Sequence, residues 1–524
     1  MLNDFPFYLL LIIAILLIIM LANKIKVAYP VLLVLAGLGI SLIPKIPVLR
    51  IDSELIFIIF LPPLLYEAAW AISWKELWKW RRIICSFAFL VVFFTALSVA
   101  LVANYYIPGF SLALGFLLGG IVSPPDAVSA GAILKFVNVP RRLSSILEGE
   151  SLLNDASSLI IFRFALISVA TGQFVWHDAA LSFGWTIVGG VGVGLAIGYI
   201  IMKMHKYLPT DVNSDIVLTI VTPYLIYIAA EEIHASGILA VVSGGLLLST
   251  HRLSFLSSTS RIRSVNVWES LSFVLNGLVF MLIGLDLPEI ISGLGNTSLS
   301  TAIGYGLLVT LILIVARIVS GYAAVVVTLI ARNFITVADR ANPGYKVPLI
   351  IGWSGMRGVV SLAAALSIPT HLANGMLFPQ RNLILFITFI VILTTLLFQG
   401  LTLPWLINKI HMPDPDYIMP DDEVYNKLRM HLSKRALKHL EENYESKIKN
   451  EPVLQYLVKK WEDNSNADTE DIAMSKEAKN VYRDILNVQR EFLMTKNREK
   501  NIDEEIIRRH LMCLDLEEEK LKFL

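Results

Sequence analysis

Long apolar runs separated by short polar loops fill most of the first 411 residues of the chain. A helix that crosses a bilayer needs about 20 mostly apolar residues, because lipid cannot satisfy backbone hydrogen-bonding groups. The sequence therefore predicts about thirteen transmembrane helices and an all-α polytopic membrane protein. The predicted spans are residues 5–23, 27–43, 54–73, 83–107, 111–134, 143–170, 178–202, 215–231, 233–250, 268–286, 299–331, 347–370 and 382–408.

The remainder of the chain, residues 412–524, has a different composition. Residues 413–524 contain 25 acidic and 20 basic residues, which leaves 18 acidic and 24 basic residues for the apolar part. Apolar side chains at helical spacing, such as Val481, Ile485, Val488 and Phe492, predict a small helical domain. This domain is interpreted as either a folding and assembly appendage or a regulatory segment. The charge balance argues against nucleic acid as a partner.

Basic residues in the loops predict the orientation of the chain in the membrane. The loops on one side of the predicted spans carry seventeen lysines and arginines, and those on the other side carry three. Because cytoplasmic loops are enriched in these residues, we expect the N-terminus outside, the tail in the cytoplasm and the protein in the cell membrane.

Two predicted spans contain residues that break helices. The fifth contains Gly119-Gly-Ile-Val-Ser-Pro-Pro-Asp126, and the twelfth contains Gly352-Trp-Ser-Gly-Met-Arg-Gly358. Irregular backbone at membrane depth is tolerated only where protein or a water-filled cavity satisfies it. Interrupted segments in both halves of a chain indicate the midplane binding site of a transporter.

Charged residues inside the apolar runs are the second unusual feature. Each costs roughly 2.5–3.5 kcal/mol at a helix centre unless it is paired or hydrated. Together they favour a polar pathway through the protein. The residues concerned are Glu67, Asp126, Glu150, Asp155, Arg163, Arg317 and Arg357.

The sixth span has the densest group of polar residues. Glu150 and Asn154 are four residues apart, as are Ser151 and Asp155, so each pair shares a helix face. Their oxygen atoms suit small hard cations. A desolvated carboxylate favours a proton, and a bound cation favours the ionised form. One carboxylate can therefore hold either ion in turn, which is the chemistry of exchange.

These residues resemble a known family. Gly149-Glu-Ser-Leu-Leu-Asn-Asp155 resembles a signature of sodium/proton exchangers in the monovalent cation:proton antiporter-1 family, which includes bacterial Na+/H+ antiporters. Leu61-Pro-Pro-Leu-Leu-Tyr-Glu67, Ala230-Glu-Glu-Ile-His-Ala-Ser-Gly-Ile-Leu-Ala240 and Arg357-Gly358 support the resemblance in the same order along the chain. The resemblance covers the membrane part and does not extend to the tail.

The resemblance implies a secondary antiporter and not an enzyme, with broken helices that cross, inverted repeats and a homodimer. It implies no cofactor, because Na+ or K+ and H+ are the substrates. The implied Na+ ligands are Asp155, Asp126 and Ser151, with Glu67 near the ion. Glu150 is expected to pair with Arg357 and to orient Asn154. The Asn-Asp pair of the signature implies electroneutral one-for-one exchange.

One motif departs from the family pattern, and several functions remain open. The family commonly has Thr-Asp-Pro where this chain has Pro125-Asp126-Ala127, so Ser123 or a freed backbone carbonyl is expected to replace the threonine. The alternatives to Na+/H+ exchange are K+/H+ exchange on the same fold, a cation channel and a transporter-like sensor. Arg163 and Arg317 are interpreted as structural or interfacial.

Overall fold

Helices form nearly all of the regular structure in this computed structural model. It describes residues 5–43, 53–134, 137, 139–172, 176–295, 297–331, 344, 346–372, 375–410, 421–466, 476–496 and 504–521. The chain divides into two compact units, Met1–Asp414 and Pro415–Leu524. The fold class predicted from the sequence, an all-α polytopic protein with a helical tail, is confirmed.

The first unit contains the apolar helices. In chain order they are α1 (Phe5–Ile25), α2 (Tyr29–Ser41), α3 (Ser53–Ala71), α4 (Trp74–Cys85), α5 (Val92–Tyr106), α6 (Leu112–Val122), α7 (Ala127–Leu134), α8 (Arg141–Thr171), α9 (Trp176–Tyr207), α10 (Val212–Glu232), α11 (Gly237–Phe255), α12 (Ser258–Leu285), α13 (Leu287–Ser292), α14 (Leu299–Ala331), α15 (Lys346–Trp353), α16 (Val359–Leu366), α17 (Arg381–Thr394) and α18 (Gly400–Ile410). Short π-helical segments, Ser86–Val91 and Thr395–Gln399, join α4 to α5 and α17 to α18.

Each predicted span coincides with a helix, a continuous pair of helices or a pair of half-helices. Within the described part of the chain, eight helical stretches are long and apolar enough to cross a membrane, and four shorter apolar helices accompany them. The number of helices that span the bilayer therefore stays a prediction at thirteen.

The two predicted interruptions are present as broken helices. Residues 123–126 separate α6 from α7, and residues 354–358 separate α15 from α16. Pro124 and Pro125 explain the first break, because neither has the N–H that would continue the hydrogen bonding of α6. The second break contains Gly355 and Gly358, which leave room for side chains of other helices.

Glycines allow several of the apolar helices to pack backbone against backbone. Gly37 of α2 and Gly284 of α12 lie against each other, and a Cβ on either would overlap with backbone atoms of the opposite helix. Gly115 and Gly119 of α6 lie in the same way against α5. Close approach through small residues is a common means of helix association in membranes, where lipid is as apolar as the helix surface.

The second unit contains four charged helices, α19 (Asp421–Asn450), α20 (Pro452–Asn466), α21 (Lys476–Lys496) and α22 (Glu504–Lys520). Arg490 of α21 contacts Asp515 and Glu518 of α22 at 2.7 and 2.6 Å. The hydroxyl of Tyr482 donates to Glu517, and this hydrogen bond raises the pKa of Tyr482. Ion pairs join α21 and α22, but such exposed pairs contribute little to stability.

The α2–α12 contact generates a prediction about stability. Gly284→Ala places a methyl group against the backbone of Val34, so we expect a lower unfolding temperature in detergent, corresponding to overpacking of about 1–3 kcal/mol. Gly304→Ala on α14 is the matched control, because a Cβ there meets nothing within 4 Å. Equal unfolding temperatures for the two variants would show that the close contact does not stabilise the fold.

Candidate functional site

Asp126 lies in the first break and caps the half-helix that follows it. Its Oδ1 accepts a hydrogen bond from the backbone N–H of Val128 at 3.0 Å. Its Oδ2 accepts from the N–H of Ser129 at 3.3 Å and from the hydroxyl of Ser129 at 2.5 Å. The start of a helix favours a negative charge, so α7 stabilises this carboxylate. Ser129 is not among the residues predicted from the sequence, although an Asp directly before a helix is a recognisable N-cap that accepts from the backbone two and three residues later.

The two breaks meet at Asp126. Its backbone N–H, which a continuous helix would donate to the carbonyl of Val122, instead donates to the carbonyl of Met356 at 2.8 Å. Gly358 lies directly against the carboxylate, and a Cβ at that position would overlap with Oδ2 of Asp126. The predicted crossing of the broken helices is therefore present, and it requires glycine at residue 358.

Arg357 occupies the end of α6. Its Nε donates to the carbonyl of Val122 at 2.8 Å and its Nη2 to that of Ser123 at 3.2 Å, while Nη1 donates to Gly355. The guanidinium is fully buried. A cation suits the C-terminal end of a helix, where carbonyls lack intrahelical partners. Arg357 therefore satisfies the carbonyls that the break sets free.

Asn154 holds the same break from α8. Its Nδ2 donates to the carbonyl of Pro125 at 3.0 Å, and it is completely buried. Its Oδ1 has no hydrogen-bond partner among the residues described. A backbone carbonyl freed by the break is one expected substitute for the missing threonine. Protein donors already occupy three carbonyls there, those of Val122, Ser123 and Pro125. The hydroxyl of Ser123 donates to Gly119 at 2.5 Å, which leaves its oxygen lone pairs as acceptors.

Glu150 has a different partner from the one expected. Its Oε1 and Oε2 accept from Nη1 and Nη2 of Arg317 at 2.7 and 3.0 Å. Both side chains are at most 1% exposed. The expected pair with Arg357 is wrong, because Arg357 is committed to the carbonyls of α6 and Gly355 gives Arg317 of α14 the space to reach inward. Of the two roles considered for Arg317, the structural one is confirmed.

Asp155 is the acidic residue of α8 that retains no protein partner. The residue is 7% exposed, and its carboxylate forms no hydrogen bond or ion pair with any described residue. It lies within electrostatic range of Asp126. Two carboxylates therefore share one buried region, one held by amide and hydroxyl donors and the other available to a mobile ion.

The remaining predicted ligands lie on the helices around this pair. Ser151 is partly buried one turn before Asp155 on α8, and Glu67 is partly buried on α3. Tyr29 of α2 was not predicted, and its phenol lies within electrostatic range of both Asp126 and Glu67. Nothing in its local sequence distinguishes it from an interfacial tyrosine.

A second unpredicted residue, Gln399, lies at the end of a π-helical segment beside the second break. Both of its amide atoms are buried and lack partners within the described ranges. Thr395, one turn earlier, accepts a hydrogen bond from the backbone N–H of Arg357 at 3.2 Å. π-Helical distortions frequently occur at functional sites.

A cavity of about 480 Å³ lies between α8 and the turn that joins α10 to α11. Its lining includes Ala156, the residue after Asp155, together with Glu232 and His234. Arg163 of α8 and Glu231 of α10 form an ion pair in its wall, with Nη2–oxygen distances of 2.9 and 2.7 Å. This cavity therefore lies between the α8 residues that follow Asp155 and the turn that joins α10 to α11.

Comparison with known proteins agrees with this geometry. The family model for the transmembrane part of sodium/hydrogen exchangers matches residues 10–409. A sodium, potassium, lithium and rubidium/H+ antiporter of Bacillus subtilis is 37% identical over 387 residues, which are 72% of this chain and 57% of that protein. The homologous antiporter of Bacillus pumilus is 35% identical over 401 residues, 74% of this chain and 59% of that protein. The chain thus spans less than two thirds of these relatives.

A third relative and a solved structure extend the comparison. The low-affinity Na+/H+ antiporter NhaS1 of Synechocystis is 32% identical over 393 residues, which are 74% of this chain and 70% of that protein. The sodium proton antiporter MjNhaP1 of Methanocaldococcus jannaschii superimposes with a TM-score of 0.61 at 18% identity and covers 78% of this chain and 98% of its own. This match shows a shared fold. The extent of the family match shows that the chain belongs to the sodium/hydrogen exchanger family.

Proposed function

We propose that the protein exchanges Na+ for H+ across the cell membrane, with Asp155 as the group that binds the two ions in turn. The observation that carries the proposal is the unpaired, buried carboxylate of Asp155 beside the capped carboxylate of Asp126. Every other described acidic or basic residue at the crossing has a protein partner: Glu150 has Arg317, and Arg357 has the end of α6. Asp155 alone is left to be neutralised by a transported ion.

The chemistry of the site supports a monovalent cation. The two carboxylates, with the hydroxyl oxygens of Ser151 and Ser123 nearby, are hard oxygen donors. A bound cation offsets the repulsion between Asp126 and Asp155, and a proton on Asp155 removes it. Because either ion suffices, occupancy by one excludes the other. Glu67 is proposed to contribute to the cation site through water.

The choice of cation is supported by the names of the relatives. NhaS1 of Synechocystis is named for Na+ and H+, and the Bacillus relatives are named for sodium, potassium, lithium and rubidium. Na+ is the substrate proposed here, and K+ is the second candidate. Alternating access is supported by the cavity at the turn between α10 and α11, whose lining includes the residue that follows Asp155.

The orientation and assembly belong to the same proposal. The distribution of basic residues in the loops supports an N-terminus outside the cell and a cytoplasmic tail beginning near residue 412. A homodimer is proposed on the resemblance alone.

Asp155 generates a prediction about transport. Asp155→Asn removes the charge but keeps the size of the side chain, so Na+-dependent proton flux in everted vesicles should disappear. Asp211→Asn is the matched control, because asparagine also caps a helix start and Asp211 lies in a loop where it accepts from Ser214. Persistent exchange in Asp155→Asn would refute the assignment, whereas loss of flux in the control would indicate a general folding defect.

The neutral Asn154 generates a prediction about charge balance. Asn154 is neutral and engaged with Pro125, so the site has Asp155 as its one uncommitted carboxylate. One proton should therefore exchange for one Na+, and the initial rate in proteoliposomes should not change with membrane voltage. A current that follows the Na+ gradient during turnover would contradict electroneutral exchange, and a current without proton coupling would favour a channel.

The buried Glu150–Arg317 pair generates a prediction about stability. Arg317→Met leaves the buried Glu150 without its partner, which should cost about 3–5 kcal/mol and strongly lower the yield and unfolding temperature of purified protein. Glu150→Gln combined with Arg317→Met removes both charges and should recover most of that loss. Arg163→Met is the control, since the Arg163–Glu231 pair is 43% and 33% exposed and should change stability by less than about 1 kcal/mol. Similar effects of Arg317→Met and Arg163→Met would contradict a supporting role for the buried pair.

A further inference from the structure

Four buried polar atoms on α3 and α12 have no hydrogen-bond partner among the described residues. They are the hydroxyls of Tyr66, Ser264 and Ser272 and the Oδ1 of Asn276. Tyr66 and Ser264 are 1% exposed, and Ser272 and Asn276 are 7% exposed. A buried polar atom without a partner is unfavourable, and native proteins contain few of them. Four in one region therefore call for a physical explanation.

The three residues of α12 belong to one stripe. Ser264, Trp268, Ser272 and Asn276 follow at intervals of four residues, so they lie along one side of the helix. The ring of Trp268 lies 5.1 Å from the ring of Tyr66, and its Nε1 donates to the hydroxyl of Thr219 at 3.2 Å. The stripe therefore faces the junction of α12 with α3 and α10. Its twelve-residue length corresponds to about 18 Å, more than half of a hydrocarbon core of about 30 Å.

One end of this stripe leads to the ion site. Phe280 is the next residue at the same spacing after Asn276, and its ring lies 6.4 Å from that of Tyr29. Tyr29 is within electrostatic range of Asp126 and Glu67. Asn276 thus lies about one helical turn from Phe280, whose ring packs against the tyrosine that is in electrostatic range of these carboxylates.

The other end lies at the opposite face of the bundle from the cavity. Near this end, the hydroxyl of Ser260 donates to Asp215, in the first turn of α10, at 2.7 Å. The cavity beside Asp155 opens at the last turn of α10, where Glu231 lines it. A helix of 21 residues is about 30 Å long, so α10 separates the two ends. The start of the stripe and the cavity therefore lie at opposite ends of α10.

We propose that Tyr66, Ser264, Ser272 and Asn276 line the second access route to the ion site, on the side where α12 begins. The route is closed in this structure and admits water and the hydrated cation when the site faces that side. This explains the missing partners, because polar atoms that water hydrates in one state are left unpaired when the route closes. The inference rests on the proposed antiport function, since alternating access requires a second route.

The experiment is cysteine labelling in membrane vesicles. Ser264→Cys, Ser272→Cys and Asn276→Cys are introduced separately after Cys85 and Cys513 have been changed to serine. A membrane-impermeant maleimide is applied to everted and to right-side-out vesicles in the presence of Na+. All three cysteines should react from the face that carries the start of α12, at least tenfold faster than Met281→Cys, which is buried on the side of α12 that packs against α2.

The outcomes separate this inference from the function on which it rests. Absence of labelling in a protein that still exchanges Na+ for H+ would overturn the route, and so would labelling only from the opposite face. Labelling in a protein without exchange activity would support a water-accessible route and would contradict the proposed antiport function. Static buried water between α3 and α12 would give no labelling from either face.

A second measurement distinguishes a transport role from a structural one. Ser272→Ala combined with Asn276→Leu replaces unpaired polar atoms by apolar ones of similar size, so the unfolding temperature should stay equal or rise. Exchange should nevertheless slow severalfold, because the open route becomes less hydrated. An unchanged exchange rate, or a loss of stability together with activity, would overturn the proposed role.

Discussion

The structure depends on the interaction of Arg357 with the free carbonyls at the end of α6. A helix that stops inside a bilayer leaves carbonyl groups that lipid cannot satisfy. Arg357 donates to two of them, those of Val122 and Ser123, and Asn154 donates to a third at Pro125. Without these donors a broken helix at membrane depth would be unfavourable. Asp126 lies at the crossing only because the break is present, so its position depends on the same donors. The site is thus a consequence of how the break is satisfied.

The same requirement arranges the charges around the crossing. Arg357 matches the negative end of α6, Asp126 matches the positive start of α7, and Glu150 matches Arg317. Each of these groups is neutralised by fixed parts of the protein. Asp155 lies among them without such a partner, so its charge can be balanced only by something that enters and leaves. Four satisfied charges and one unsatisfied charge therefore support the transport site proposed at Asp155.

The sequence predicts this arrangement in part. Pro124, Pro125 and the glycines of the second break predict the interruptions, because their backbone chemistry is local. The position of Asp155 is predicted for the same reason, since a carboxylate inside an apolar run already requires a partner or an ion. The partner of Glu150 is not predicted correctly. Arg317 and Arg357 both lie in apolar runs, and the choice between them depends on the space beside Gly355, which is a property of the packed helices. Tyr29 likewise becomes a neighbour of Asp126 only when α2 packs against α12.

The charged groups that hold the crossing and the unpaired polar atoms of the α12 stripe suit different parts of the exchange cycle. Arg357, Asp126 and Glu150 are hydrogen-bonded or ion-paired, which suits a scaffold that is the same in both access states. The unpaired atoms of Tyr66 and the α12 stripe lie on the side away from the cavity. When that side closes, each polar atom that loses its water without gaining a partner costs about 1–3 kcal/mol. This cost raises the free energy of the closed state toward that of the open state. Two states that differ by only a few kcal/mol can interconvert when a small ion binds or leaves. Unpaired polar groups along an access route therefore keep the free-energy difference between the two states small. The binding free energy of one cation or one proton is then large enough to shift the equilibrium.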